Sequence, residues 1–156
     1  MKRLLYSALF VLAVSGCATT GDPRMTAASV QLVERALTEP ADQLKREADQ
    51  GLADAQFSYS IVKRYGLDGG KPDAAAADAY RQLALGPRDT TSIPTGGKYG
   101  SLLSVPVYAG VTYMAKTADA CTAALAAGLK PEAVTTECGG ADTYRRLADL
   151  WSRKRS

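Results

Sequence analysis

LADAQFSYSIVKRYGLDGGKPDAAAADAYRQLAL, residues 52–85, is the stretch that decides the fold. Its first part, Leu52 to Tyr65, places Ala55, Tyr59 and Val62 in line, with Phe57 and Ile61 on an adjacent stripe. That recurrence is the signature of a helix with one face buried. The glycines and proline of residues 66–72 then force a loop. Asp73 has the short acceptor side chain that suits a helix N-cap. The helix it opens, Ala74 to Leu85, carries Ala77, Tyr80 and Ala84 on one face. Two alanine-rich helices joined by a short glycine loop make an αα-hairpin. Alanine at facing positions lets such helices approach closely, and the tyrosines fill the space beside them.

The same periodicity extends outward. Val30, Val33 and Leu37 predict a helix over Met25 to Leu37, and Leu44 and Ala48 predict another over Ala41 to Gln50, stopped by Gly51. Downstream, Val111, Met114, Ala118, Cys121 and Leu125 form one unbroken helical stripe that Gly128 ends. Pro131-Glu132 opens a short turn of helix reaching Cys138. Asp142 is placed to cap a last helix carrying Tyr144, Leu147, Ala148 and Trp151 on one face. Between these blocks, residues 87–105 show no apolar period and many turn formers, so they read as an irregular surface excursion. The expected fold is all-α, built of antiparallel helix hairpins around an irregular middle segment, with helical regions at 25–86 and 106–156.

Several chemistries lack their residues. The chain has no histidine, the commonest general base and metal ligand. Acidic residues are scattered beside Lys and Arg, with no oxygen-rich calcium loop. Gly66 to Gly70 lacks the Gly-Lys-Ser/Thr ending of a phosphate loop. No catalytic residue, cofactor site or metal site is expected, and the charge balance, 19 basic against 16 acidic residues, gives no basic stripe for nucleic acid.

Within 48–86 the order Ala48-x-x-Gly51-x-x-x-Ala55-Gln56, Tyr65-Gly66, Asp73, Ala77, Tyr80 and Ala84-x-Gly86 resembles the Sel-like repeat, a relative of the tetratricopeptide repeat. Ser60 and Lys63 depart from that pattern, where the family usually has glycine and tyrosine. The resemblance implies a helix pair that acts as a protein-binding surface. Since a lone unit cannot bury its own faces, the flanking helices must complete it.

The N-terminus carries a second resemblance. Lys2 and Arg3 precede an apolar run from Leu4 to Val14, then Val14-Ser15-Gly16-Cys17. This resembles the signal peptide and lipobox of bacterial lipoproteins. It implies cleavage of residues 1–16, acylation of Cys17, a tether over 17–24 and a stable lipid anchor. Ala18, where inner-membrane retention would call for Asp, implies the outer membrane, facing the periplasm. The mature chain would hold 140 residues with 17 basic against 16 acidic, a net charge of +1.

In that oxidising compartment Cys121 and Cys138 are expected to form a disulfide, the alternative being two buried thiols. A catalytic thiol would want a neighbouring base. Tyr59 and Tyr80 read as packing residues, whereas Tyr65, beside Gly66, and Tyr99, in the middle segment, are candidate partner contacts. The expected activity is that of a lipid-anchored adaptor for an envelope protein. The alternatives are an envelope factor binding peptidoglycan or lipopolysaccharide through Arg153-Lys154-Arg155, and an enzyme with an unrecognised site.

Overall fold

The computed structural model describes residues 23–94, 102–134 and 136–156. Among them are six helices: α1 (Pro23–Thr38), α2 (Ala41–Asp49), α3 (Ala53–Tyr65), α4 (Ala74–Leu85), α5 (Val111–Ala126) and α6 (Ala141–Arg155). Short 3-10 turns at Pro131–Ala133 and Thr136–Cys138 link α5 to α6. The fold is all-α, as the periodicity predicts, with one small sheet.

The centre of the molecule is α3. Every residue from Ala55 to Val62 is buried, because α1, α2, α4 and α5 all pack around it. Close approach rests on small side chains whose hydroxyls find backbone acceptors. Ser58 Oγ donates to Leu32 O at 2.9 Å, joining α3 to α1, and Ser29 Oγ, shared between Met25 O of its own helix at 2.7 Å and Met114 O at 3.1 Å, lies where α1 meets α5. Each satisfies a polar group that would otherwise cost about 1–3 kcal/mol to bury.

Local sequence explains the helix ends. Asp73 caps α4 by accepting from the Ala76 amide at 2.9 Å. Gly51 and Gly66 close α2 and α3 in left-handed conformations, with φ of 88° and 64°. After each, the next amide bonds back into the helix, Leu52 N–H to Glu47 O and Leu67 N–H to Val62 O. At α6 the expectation is corrected. Gly140 occupies the N-cap position, while Asp142 lies inside the first turn and pairs with Arg145 at 2.6 Å.

The middle segment is also corrected. Within 87–105 the described residues are not irregular: 87–94 and 102–105 belong to a two-stranded antiparallel ribbon, β1 (Pro87–Pro94) and β2 (Leu102–Tyr108). Pro106 therefore ends no loop and starts no helix; it sits within β2, and α5 begins at Val111. The register pairs Thr90 with Pro106 and Pro94 with Leu102. A proline has no amide to give its partner strand, so both pairs must be of the non-hydrogen-bonded kind. The missing amides thus fall on the two outer edges, where proline hinders pairing with a further strand.

Candidate functional site: an edge helix and a projecting ribbon

α4 buries one face only. Its stripe of Ala77, Tyr80 and Ala84 packs toward α3, with Tyr80 meeting Tyr59 edge-on at 4.8 Å between ring centroids. The Tyr80 hydroxyl donates to Asp49 Oδ1 at 2.8 Å. These two tyrosines are packing residues, as expected. The far face carries Ala75, Ala79 and Leu83, spaced four residues apart and all exposed, Leu83 to 57%. An apolar stripe at helical spacing in water is the feature that stands out. Arg64 and Asp78 form an ion pair on its border.

Next to α4 stands the ribbon. Its strands pair with each other and touch the helices sparsely. Arg88 holds its foot, donating to Gly51 O at 3.0 Å and to Gln56 Oε1 at 2.5 Å. Gln56, buried in α3, donates in turn to Ala48 O at 2.9 Å. One guanidinium thus fixes the ribbon to the α2–α3 turn, beside the half-exposed Leu52. Among the described residues the large apolar side chains most open to water are Leu52, Leu83, Val107, Tyr108, Tyr113 and Leu129; Val107 and Tyr108 lie in β2, and Leu52 follows Gly51, whose carbonyl Arg88 contacts.

A cleft of about 310 Å³ opens between α3, α4 and α5, lined by Ser60, Arg64, Tyr65, Arg81, Asp119 and Thr122 among others. Arg81 grips Asp119 through two hydrogen bonds, at 2.7 and 2.5 Å, and its guanidinium lies 5.2 Å from the Phe57 ring centre. The Ser60 and Thr122 hydroxyls donate to Phe57 O and Ala118 O within their own helices. The charges lining this cleft are therefore matched in pairs, and the arrangement positions α4 on α5.

Tyr65 lies at the cleft, half-buried, with its ring 5.0 Å from that of Trp151. Burial pushes its hydroxyl pKa up, with Arg64 acting in the opposite direction. Lys63 pairs with Asp68 at 2.7 Å. Cys121 and Cys138 are joined by a disulfide, with Cα atoms 5.0 Å apart, which pins the second 3-10 turn to α5. Of the basic tail, Lys154 donates to Glu39 O at 2.8 Å and Arg153 pairs with Asp149 at 2.7 Å. Cys17 and Tyr99 lie outside the described residues.

Sequence reading missed the outer stripe of α4 and the role of Arg88. The Ala75-x-x-x-Ala79-x-x-x-Leu83 spacing was a signal for the first; nothing in sequence announces the second. Among the described residues no group of three or more His, Cys, Asp or Glu could hold a metal ion, and no helix is long and apolar enough to cross a membrane. Comparison with family models, curated proteins and solved structures gives no match.

Proposed function

We propose that this protein is a lipid-anchored periplasmic adaptor, probing the envelope for a protein partner with the outer face of α4 and the adjoining ribbon. The observation that carries the reading is the uncovered stripe of Ala75, Ala79 and Leu83 on a helix whose opposite face, with Ala77 and Ala84, is buried against the body. The likeness of residues 48–86 to a Sel-like repeat supports it, since such helix pairs stack on neighbours through their outer faces. The lipobox likeness of Val14 to Cys17 supports the anchor. Small alanines would let a partner helix approach closely, and Leu83 would supply the larger apolar contact. The rival surface, the basic tail, has two of its three charges engaged within the protein.

The test is a photo-crosslinking amino acid placed at Ala79, in cells carrying the full chain, with Asp142 on α6 as the control position. A discrete protein adduct from position 79 alone is the expected result. Leu83→Glu should weaken it roughly tenfold or more, since full burial of a leucine is worth about 1.5–3 kcal/mol. Equal adducts from both positions, or none from 79, would refute the reading. Retention on cell-wall or lipopolysaccharide fractions, lost with Arg155→Ser, would favour the envelope-binding alternative.

A further inference from the structure

Tyr113 is the most exposed large apolar side chain among the described residues, at 71%, and Tyr108, five residues earlier in sequence, is 44% exposed. Lys116, exposed, stands three residues after Tyr113 and so shares its face of α5. Tyrosine beside lysine is the pairing that settles at a membrane–water boundary, with the ring at headgroup depth and the ammonium near phosphate.

The position of this face relative to the proposed anchor matters more than its composition. The hydroxyl of Ser29 reaches Met114 O, so the first turn of α5 lies against the second turn of α1. Only about 9 Å of helix rise separates Ser29 from Pro23, where α1 begins. From Pro23 back to Cys17 the chain can span at most about 20 Å. A folded body of this size has a radius of gyration of about 14 Å, hence a diameter well beyond that reach. A body wider than its tether is long cannot present every side to the membrane. The side that bears the start of α1 stays nearest, and the start of α5 is on it.

We propose that Tyr108, Tyr113 and Lys116 seat in the phospholipid surface to which Cys17 is anchored, so that the body is oriented on the membrane as well as tethered to it. The inference rests on the lipid anchor of the proposed function. It adds a second, weaker contact that costs little to form, because the anchor has already confined the body to the surface. The α4 stripe and the rest of the ribbon are left to the protein partner.

The experiment uses the full chain, purified from a Gram-negative host and weighed by mass spectrometry, then reconstituted into vesicles of phosphatidylethanolamine and phosphatidylglycerol containing acyl-brominated lipid. Tyr113→Trp and Ala79→Trp are compared, with the buried Trp151 as their common background. Bromolipid should quench the added emission of Tyr113→Trp several-fold more than that of Ala79→Trp. Adding Lys116→Glu should reduce the difference in vesicles that contain phosphatidylglycerol. Equal quenching of the two proteins, with an acylated mass, would overturn the inference and leave the anchor standing. Emission from Tyr113→Trp that shifts only on adding envelope proteins would assign the patch to a protein and overturn it as well. A mass without acyl chains would remove the anchor and this inference together.

Discussion

Replacing both bridged cysteines, Cys121→Ala with Cys138→Ala, removes a cross-link that closes a 17-residue loop. The loss of loop-closure entropy from the unfolded chain predicts about 3 kcal/mol of destabilisation. Both side chains are fully buried, so alanine is the apt replacement; serine would add two buried hydroxyls. Unfolding entropy of about 2 cal/mol/K per residue gives roughly 0.3 kcal/mol/K for a chain of this size, so Tm should fall by about 10 °C. Urea unfolding followed by circular dichroism measures the first quantity and a thermal melt the second. The slope against urea should rise slightly, because the unfolded chain, freed of its cross-link, exposes more surface. Wild-type protein under reductant supplies a second arm without any substitution, and thiol labelling of the denatured oxidised protein reports whether the bond is present. If the bond is present and its reduction moves the midpoint by less than about 0.5 kcal/mol, the entropic reasoning is refuted for this loop.

Two glycines separate conformational cost from steric cost. Gly51→Ala, with φ of 88° and nothing within 4 Å of the new Cβ, should lose about 1–2 kcal/mol. Gly66→Ala, whose Cβ would meet Gly70 O at 2.5 Å, should lose roughly twice that in the same urea assay. Tyr144→Phe removes a buried hydroxyl that bonds Leu129 O at 2.8 Å and Ala124 O at 3.0 Å, and should cost about 1–2 kcal/mol; an unchanged midpoint would mean water replaces it. The pH dependence should be one-sided. The Lys45 and Tyr80 hydrogen bonds lower the Asp49 pKa, those from Gln43 and Arg35 lower Glu47, and Arg46 lowers Asp42. Such carboxylates bind protons more readily unfolded than folded, so their contribution is present above about pH 4 and lost as pH falls through the folded values. With no histidine to titrate, melting temperature should stay nearly level from about pH 5.5 to 7.5 and drop below about pH 4.

Where apolar residues recur with helical spacing, the sequence was legible. The stripe from Val111 to Leu125 names the buried face of α5, and Asp73 does cap α4. The ribbon was not legible because its residues send mixed signals. β1, PRDTTSIP, reads as turn formers, and β2, LLSVPVY, is a short apolar run interrupted by a proline. Both strands are tolerated because the register turns the missing amides of Pro94 and Pro106 outward, and a register is a property of two strands together. Asp142 failed as a cap because Gly140, two residues earlier, takes that place with φ of 92°. Tyr65, a candidate partner contact, is half-buried, and a helix from the far end of the chain, carrying Trp151, lies against it, a long-range contact that local sequence does not announce. The outer face of α4 escaped notice for a different reason. Periodicity names the covered stripe of Ala77, Tyr80 and Ala84, but with alanine on both sides the helix has little amphipathic contrast, so the second stripe of Ala75, Ala79 and Leu83 does not stand out as an exposed apolar face.

That ambiguity bears on the proposed function. An exposed alanine stripe could belong to a loosely held helix that merely frays, but α4 is fixed at several points. Asp73 caps its start, the Tyr59–Tyr80 contact packs its middle, and the two-pronged Arg81–Asp119 pair ties it to α5. A partner meeting this face would therefore find it already ordered. Alanine side chains lose no rotamer freedom on contact, so the ordering cost that normally erodes binding energy is small here. The ribbon is the complement, since it touches the helices sparsely and a two-stranded hairpin alone is marginally stable in water. Its attachment through Arg88 to Gly51 O and the Gln56 side chain is therefore a point at which a single substitution can loosen the coupling between the two parts of the site. Arg88→Ala should cost the helical melt only about 1–3 kcal/mol, the penalty for leaving the buried Gln56 Oε1 without this donor, and leave the helices folded. If the partner reads both surfaces, the same substitution should weaken the position 79 crosslink; a crosslink of full strength would assign recognition to α4 alone.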